Sequence, residues 1–102
     1  MEVFLDELRQ VRRSIEPQFK MVLFGSRARY DYSEASDWDL LLIVESAGSF
    51  SKDFVKYGMP LIECGIRNNE EVNVHIYSRQ EWESYKEKSL LYYNVSKEGI
   101  EI

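Results

Sequence analysis

The chain has 102 residues, 44% hydrophobic and 30% charged, with 13 Lys+Arg against 18 Asp+Glu for a net charge of −5. A chain of this length buries roughly 60–70% of its unfolded surface, enough for one core, and the composition excludes a disordered or fibrous protein. The acidic balance argues against direct nucleic-acid binding, which rests on Lys/Arg contacts to phosphate, and turns attention to carboxylates that could hold metal ions.

Phe4, Leu8, Val11 and Ile15 recur at helical spacing, with Glu7, Arg9, Arg12 and Arg13 on the other face, which predicts an amphipathic helix over 2–15 ended by Pro17. Residues 20–24, Lys-Met-Val-Leu-Phe, read as a buried strand stopping at Gly25. Ser26 to Tyr30 opens a short helix, and Tyr32 to Ser36 is a polar loop. A second strand runs over 37–44; its half from Leu40 to Val44 is apolar on both faces and belongs inside the sheet. That run is also the longest apolar one, far short of the roughly 20 residues that span a bilayer.

Residues 45–51 read as a loop, and 52–66 as helical, with Pro60 starting or kinking the helix. Residues 67–69 are a turn. Strict alternation over 71–77 predicts a third strand, with Val72, Val74 and Ile76 on one face and Glu71, Asn73, His75 and Tyr77 on the other. Ser78 and Glu81 form a capping box for a helix carrying Trp82 and Tyr85. A last helix over 90–97 is closed by Gly99. The order αβαβαβα predicts a single α/β domain over 1–102. Cys64 is the only cysteine, which excludes an internal disulfide, and it reads as a buried apolar residue; no basic leader precedes an apolar stretch at the N-terminus, so a cytoplasmic address is expected.

The chemistry concentrates in 25–39. Gly25-Ser26 follows a strand and opens a turn, where glycine admits close backbone approach and N–H groups at a helix start attract phosphate oxygens. Ten residues on, Asp37 and Asp39 are one residue apart at a strand start, so their carboxylates share a face. Two such anions repel unless a cation lies between them, and Mg²⁺ suits carboxylate plus phosphate oxygens. Alone, either half reads as an ordinary turn or a pair of solvated charges. Trp38, between the aspartates, points the other way and reads as a core anchor.

Gly25-Ser26, ten residues, then Asp37-Trp38-Asp39 resembles the signature of the DNA polymerase β-like nucleotidyltransferase superfamily. Phe24-Gly25-Ser26-Arg27-Ala28-Arg29 with Ser36-Asp37-Trp38-Asp39-Leu40 narrows this to its minimal nucleotidyltransferases. The resemblance implies a small mixed β-sheet (α+β) with helices packed on one side and the site at the sheet's edge. It implies an NTP, ATP foremost, and Mg²⁺, with nucleotidyl transfer to an acceptor hydroxyl. Carried over by position, Gly25 and Ser26 bind the triphosphate, Arg29 matches the regular arginine of the motif, and Asp37 and Asp39 ligate metal. Arg27 fills a variable position, either contacting phosphate or fixing the loop by pairing with an acid such as Asp31. At this length no dedicated acceptor domain is expected, so the acceptor is expected from elsewhere: a second protein, a second subunit of a homo-oligomer or an external small molecule. The resemblance implies a helical HEPN-type protein partner in a toxin–antitoxin pair.

Two positions depart from the pattern. Tyr30 replaces the usual glycine after Ala-Arg, and Tyr30 and Tyr32 are candidates for base or partner contact. Active members carry a third carboxylate on a later strand, where this chain has Asn73. Three readings follow: Glu71 supplies the third acid; His75 takes the base role; or the site binds nucleotide and metal with little or no transfer, as a nucleotide- or partner-binding module.

Overall fold

Helix α1 (Glu2–Ser14) lays Phe4 and Leu8 into the core and ends with Arg12 and Arg13, whose charges complement the carbonyl end of the helix. The computed structural model describes residues 2–29, 33, 35–45 and 48–102. Four strands follow in it: β1 (Lys20–Phe24), β2 (Trp38–Val44), β3 (Val72–Ser78) and β4 (Ile100–Glu101). They lie in the order β3-β2-β1-β4. β1 is antiparallel to both β2 and β4, while β2 and β3 run parallel, so the sheet is mixed.

Side-chain alternation divides the apolar residues between two faces. Met21, Leu23, Trp38, Leu40, Leu42, Val44 and Val72 point to the main core, where they meet Phe4 and Leu8 of α1 and Leu61 and Cys64 of α4 (Met59–Arg67). Val22, Phe24 and Leu41 point to the second face and pack with Trp82 of α5 (Arg79–Ser84). Leu91, Tyr92 and Val95 of α6 (Leu90–Glu98) complete that smaller cluster. The larger helical layer thus covers one side, and two short helices cover part of the other. Leu40, Leu41 and Leu42 are all fully buried, as expected for a strand packed on both faces.

The Ser78–Glu81 capping box is present, with Ser78 Oγ accepting from Glu81 N–H at 3.1 Å and Glu81 Oε1 accepting from Ser78 N–H at 3.0 Å. The helical stretch beginning after 50 is less regular than its periodicity predicts. A short α3 (Phe50–Asp53) passes into a π-helical turn (Phe54–Gly58) before α4 begins, with Pro60 in the first turn of α4, where its missing N–H costs nothing. β4 was not expected. Gly99 ends α6 in an extended conformation rather than a left-handed one, and the chain turns directly into two residues that pair with β1. Two residues carry too little periodicity to register as a strand.

Cys64 is buried, and that burial, followed by the nearby Glu7 carboxylate, pushes its thiol pKa up. Among the described residues no helix is long and apolar enough to cross a membrane.

Candidate active site at the strand ends

The two halves of the motif meet because β1 and β2 are antiparallel neighbours whose register sets Phe24 opposite Asp39. Gly25 has φ +80°, a left-handed conformation that only glycine adopts freely, and its carbonyl accepts from Ala28 and Arg29 N–H to start α2 (Ser26–Arg29). A Cβ built on Gly25 would overlap the Asp39 carboxylate. Glycine is therefore required here both for the turn and for the approach of Asp39.

The parallel register of β2 and β3 sets Asp39 opposite Asn73. Asn73 Nδ2 donates to Asp37 Oδ2 at 3.0 Å and to Asp39 Oδ1 at 3.2 Å. One amide nitrogen thus lies between the two carboxylates and offsets their repulsion. Asp37 is exposed and Asp39 half-buried, so the pair opens to solvent.

Glu71 is not gathered into this group. It precedes β3, its backbone carbonyl accepts from Trp38 N–H at 2.8 Å, and its exposed side chain lines a shallow hollow with Ile66, Asn69 and Glu70. Among the described residues, no three His, Cys, Asp or Glu side chains converge as a metal-binding set. The third residue at the pair is Asn73. His75 lies on the same face one pleat further along and packs its ring against Phe24, centroids 5.5 Å apart.

Arg27 is turned inward. It is 6% exposed, donates through Nε and Nη2 to the Ser36 carbonyl at 3.2 and 3.1 Å, and lies 3.6 Å from Glu70 Oε1. Its guanidinium also stacks 4.5 Å from the Trp38 ring centroid, and Trp38 Nε1 donates to the same Glu70 oxygen at 3.0 Å. These contacts tie Arg27 to the backbone at Ser36 and to Glu70; Asp31, Tyr30 and Tyr32 lie outside the described residues. Trp38 is 1% exposed and meets Phe4 edge to face, the core anchor its position predicts.

Arg29 remains at the mouth of the turn, half exposed, and its Nη1 donates to Glu98 Oε2 at 2.7 Å. That carboxylate oxygen also accepts from Gly25 N–H at 3.0 Å. Neither Glu98 nor Glu70 carries a local motif, and both reach the site across long sequence separations, so sequence reasoning missed them.

Asp37 and Asp39 are the side chains here that could hold Mg²⁺. Two hard carboxylate oxygens converge on one positively polarised nitrogen, the donor arrangement a small dication takes with phosphate oxygens completing its shell. The residues fit. A cleft of about 660 Å³ at the other end of the second face, lined by Lys20, Ile43, Arg79, Trp82 and Tyr92 among others, does not include the motif residues.

A strand-turn-helix carrying Gly25-Ser26 beside paired aspartates, on a mixed sheet backed by helices, defines the nucleotidyltransferase class. The chain matches the nucleotidyltransferase domain model over residues 5–97 and belongs to that family. Two solved structures share the fold. A toxin–antitoxin complex with AMP-PNP superposes with a TM-score of 0.66 at 14% identity, covering 94% of this chain and 69% of the other. A mutant of the toxin–antitoxin MntA–HpeT gives 0.64 at 12% identity, with the same coverage. No curated protein matches the sequence.

Proposed function

We propose that this protein transfers a nucleoside monophosphate, AMP from ATP, to a hydroxyl of a partner protein, as the antitoxin half of a toxin–antitoxin pair, with Mg²⁺ as cofactor. The carrying observation is the convergence of Asp37 and Asp39 on a single point beside the Gly25 turn. Structural similarity to toxin–antitoxin proteins, one of them with a nucleotide analogue, supports the partner and the nucleotide. A partner of HEPN type, reached in the cytoplasm, belongs to the same reading.

In this reading Ser26 and the turn hold the triphosphate, with Arg29 facing its charge. Asp37 and Asp39 hold the metal, and a half-turn of the Asn73 amide would present its carbonyl oxygen as a further ligand. A metal held there would supply neutralisation of phosphate charge during an in-line displacement. What the chain itself supplies is positioning: the turn, the strand register and the buried Arg27 brace fix these groups before substrate arrives.

The test is incubation with labelled ATP, Mg²⁺ and the product of the neighbouring gene. Label is expected on the partner and is expected to vanish in Asp37→Ala and Asp39→Ala. Intact nucleotide binding without transfer would overturn the enzymatic reading. Glu71→Gln is expected to leave transfer unchanged, because the Glu71 side chain is not gathered with the aspartates.

Asn73 favours a second reading, a nucleotide-binding module with weak transfer, since an amide cannot act as a base. Asn73→Asp separates the two. Without Mg²⁺ the variant loses the donor between the aspartates and adds a third negative charge, so stability is expected to fall by about 1–3 kcal/mol. Mg²⁺ is expected to restore its Tm by more than it raises that of the unmodified protein. Faster transfer by the variant would show that the missing carboxylate limits the native chain. A Tm unaffected by Mg²⁺ in both proteins would argue against a metal at this site.

A further inference from the structure

The groups offered to a phosphate are already engaged by an anion of the chain itself. Glu98 Oε2 takes the Gly25 N–H at 3.0 Å and the Arg29 guanidinium at 2.7 Å. We infer that Glu98 is an internal phosphate surrogate: it occupies the Gly25 amide and Arg29 in the ligand-free protein and yields them when a nucleotide binds. This rests on the nucleotide reading above and adds to it a competition between the chain's last helix and the substrate.

Glu98 is delivered to this place by the fold. It is the last residue of α6, and Gly99 N–H closes the helix onto the Val95 carbonyl at 2.8 Å. Any side chain at Gly99 would press on that carbonyl at 2.6 Å and on Val22 of β1 at 2.8 Å, so the helix end sits directly against the strand. Beyond it, Glu101 and Ile100 pair with Val22 and Leu23, Ile102 N–H donates to the Met21 carbonyl at 3.0 Å, and Ile102 is buried. The Glu98 side chain is only 17% exposed. Its backbone is thus held on both sides, while its long side chain reaches from the helix end to the turn.

The chemistry makes the two occupants exclusive. One N–H supports one well-aligned hydrogen bond, so a phosphate oxygen and the Glu98 carboxylate cannot both hold Gly25. Two anions drawn to the same guanidinium also repel each other. A carboxylate matches a phosphate in charge sign and in presenting oxygen acceptors, which is why the turn accepts it. Rotation of the Glu98 side chain would release the Gly25 N–H and break the Glu98–Arg29 ion pair, with α6 and β4 left in place.

The test measures binding of ATP with Mg²⁺, and of inorganic tripolyphosphate, by calorimetry. Glu98→Gln keeps the shape and removes the charge, and Glu98→Ala removes both. Each is expected to bind about tenfold more tightly than the unmodified chain, the size of one charge-assisted hydrogen bond. Circular dichroism and thermal unfolding check the fold.

Binding by a folded Glu98→Gln chain that is no tighter than, or weaker than, that of the unmodified protein would overturn the inference and leave the nucleotide reading standing. Glu98 would then be a positioning residue for Arg29. Failure of both proteins to bind would overturn the two together. Should the variants fail to fold, nuclear magnetic resonance of the unmodified protein decides: tripolyphosphate is expected to shift the Gly25 amide and the Glu98 carboxyl carbon in parallel. A Glu98 carboxyl left unmoved at saturation would overturn the inference.

Discussion

Trp38→Ala is expected to lower stability by about 3–5 kcal/mol, a large part of the roughly 5–15 kcal/mol that holds such a domain together. The indole is fully buried at the start of β2, edge to face with Phe4 of α1, so its removal leaves a cavity between the sheet and the first helix. Loss of packing is only part of the effect. Arg27 stacks on the ring and shares Glu70 with the indole N–H, so truncation also strips the buried guanidinium of its apolar cover and Glu70 of a donor. Because Arg27 secures the Ser36 carbonyl next to Asp37, the aspartate pair should lose order as well. Chemical denaturation measures the first effect and Mg²⁺ binding the second. Trp38→Phe keeps most of the volume but not the N–H, and should fall between. A Trp38→Ala chain as stable as the native one would mean that this packing is not the anchor of the site.

Gly25→Ala should act in the opposite proportion, with a smaller loss of stability and a larger loss of function. Holding alanine at φ +80° costs about 1–3 kcal/mol. The added methyl would also meet the Asp39 carboxylate and force it away from its place beside the turn. Displacing Asp39 breaks its hydrogen bond from Asn73 and spoils the convergence with Asp37. Nucleotide and Mg²⁺ binding are expected to weaken by about tenfold or more. Calorimetry on a chain shown to be folded checks this. Unchanged binding would place the nucleotide elsewhere than at this turn.

The strands were legible because their signals are local. The run over 20–24 and the alternation over 71–77 reappear as β1 and β3 within a residue, and the motif between them was readable through its resemblance to a family signature. Trp38 could be assigned to the core because strand period two separates it from its acidic neighbours. What escaped was everything that depends on which distant residue arrives where. Glu70 and Glu98 look like ordinary surface acids in the sequence, yet one braces Arg27 and the other takes the Gly25 amide. Glu71 and Asn73 fall on one face of the alternation, and spacing along the strand does not say which of them meets the aspartates; Asn73 does. The two-residue β4 exists only because β1 offers it an edge.

The alignment of β1 on β2 has a further consequence. The same pairing that sends Leu40 and Leu42 into the core sends Asp39 to the Gly25 turn. A slip of one residue would turn Asp39 toward the hydrophobic layer and Trp38 toward water, so the misaligned chain would forfeit its core together with its chemistry. The geometry of the site is therefore insured by the folding of the whole domain, while the identity of each side chain is not. A change of side chain at position 73 alters which groups face the aspartates, while the parallel register that brings position 73 opposite Asp39 is set by the backbone.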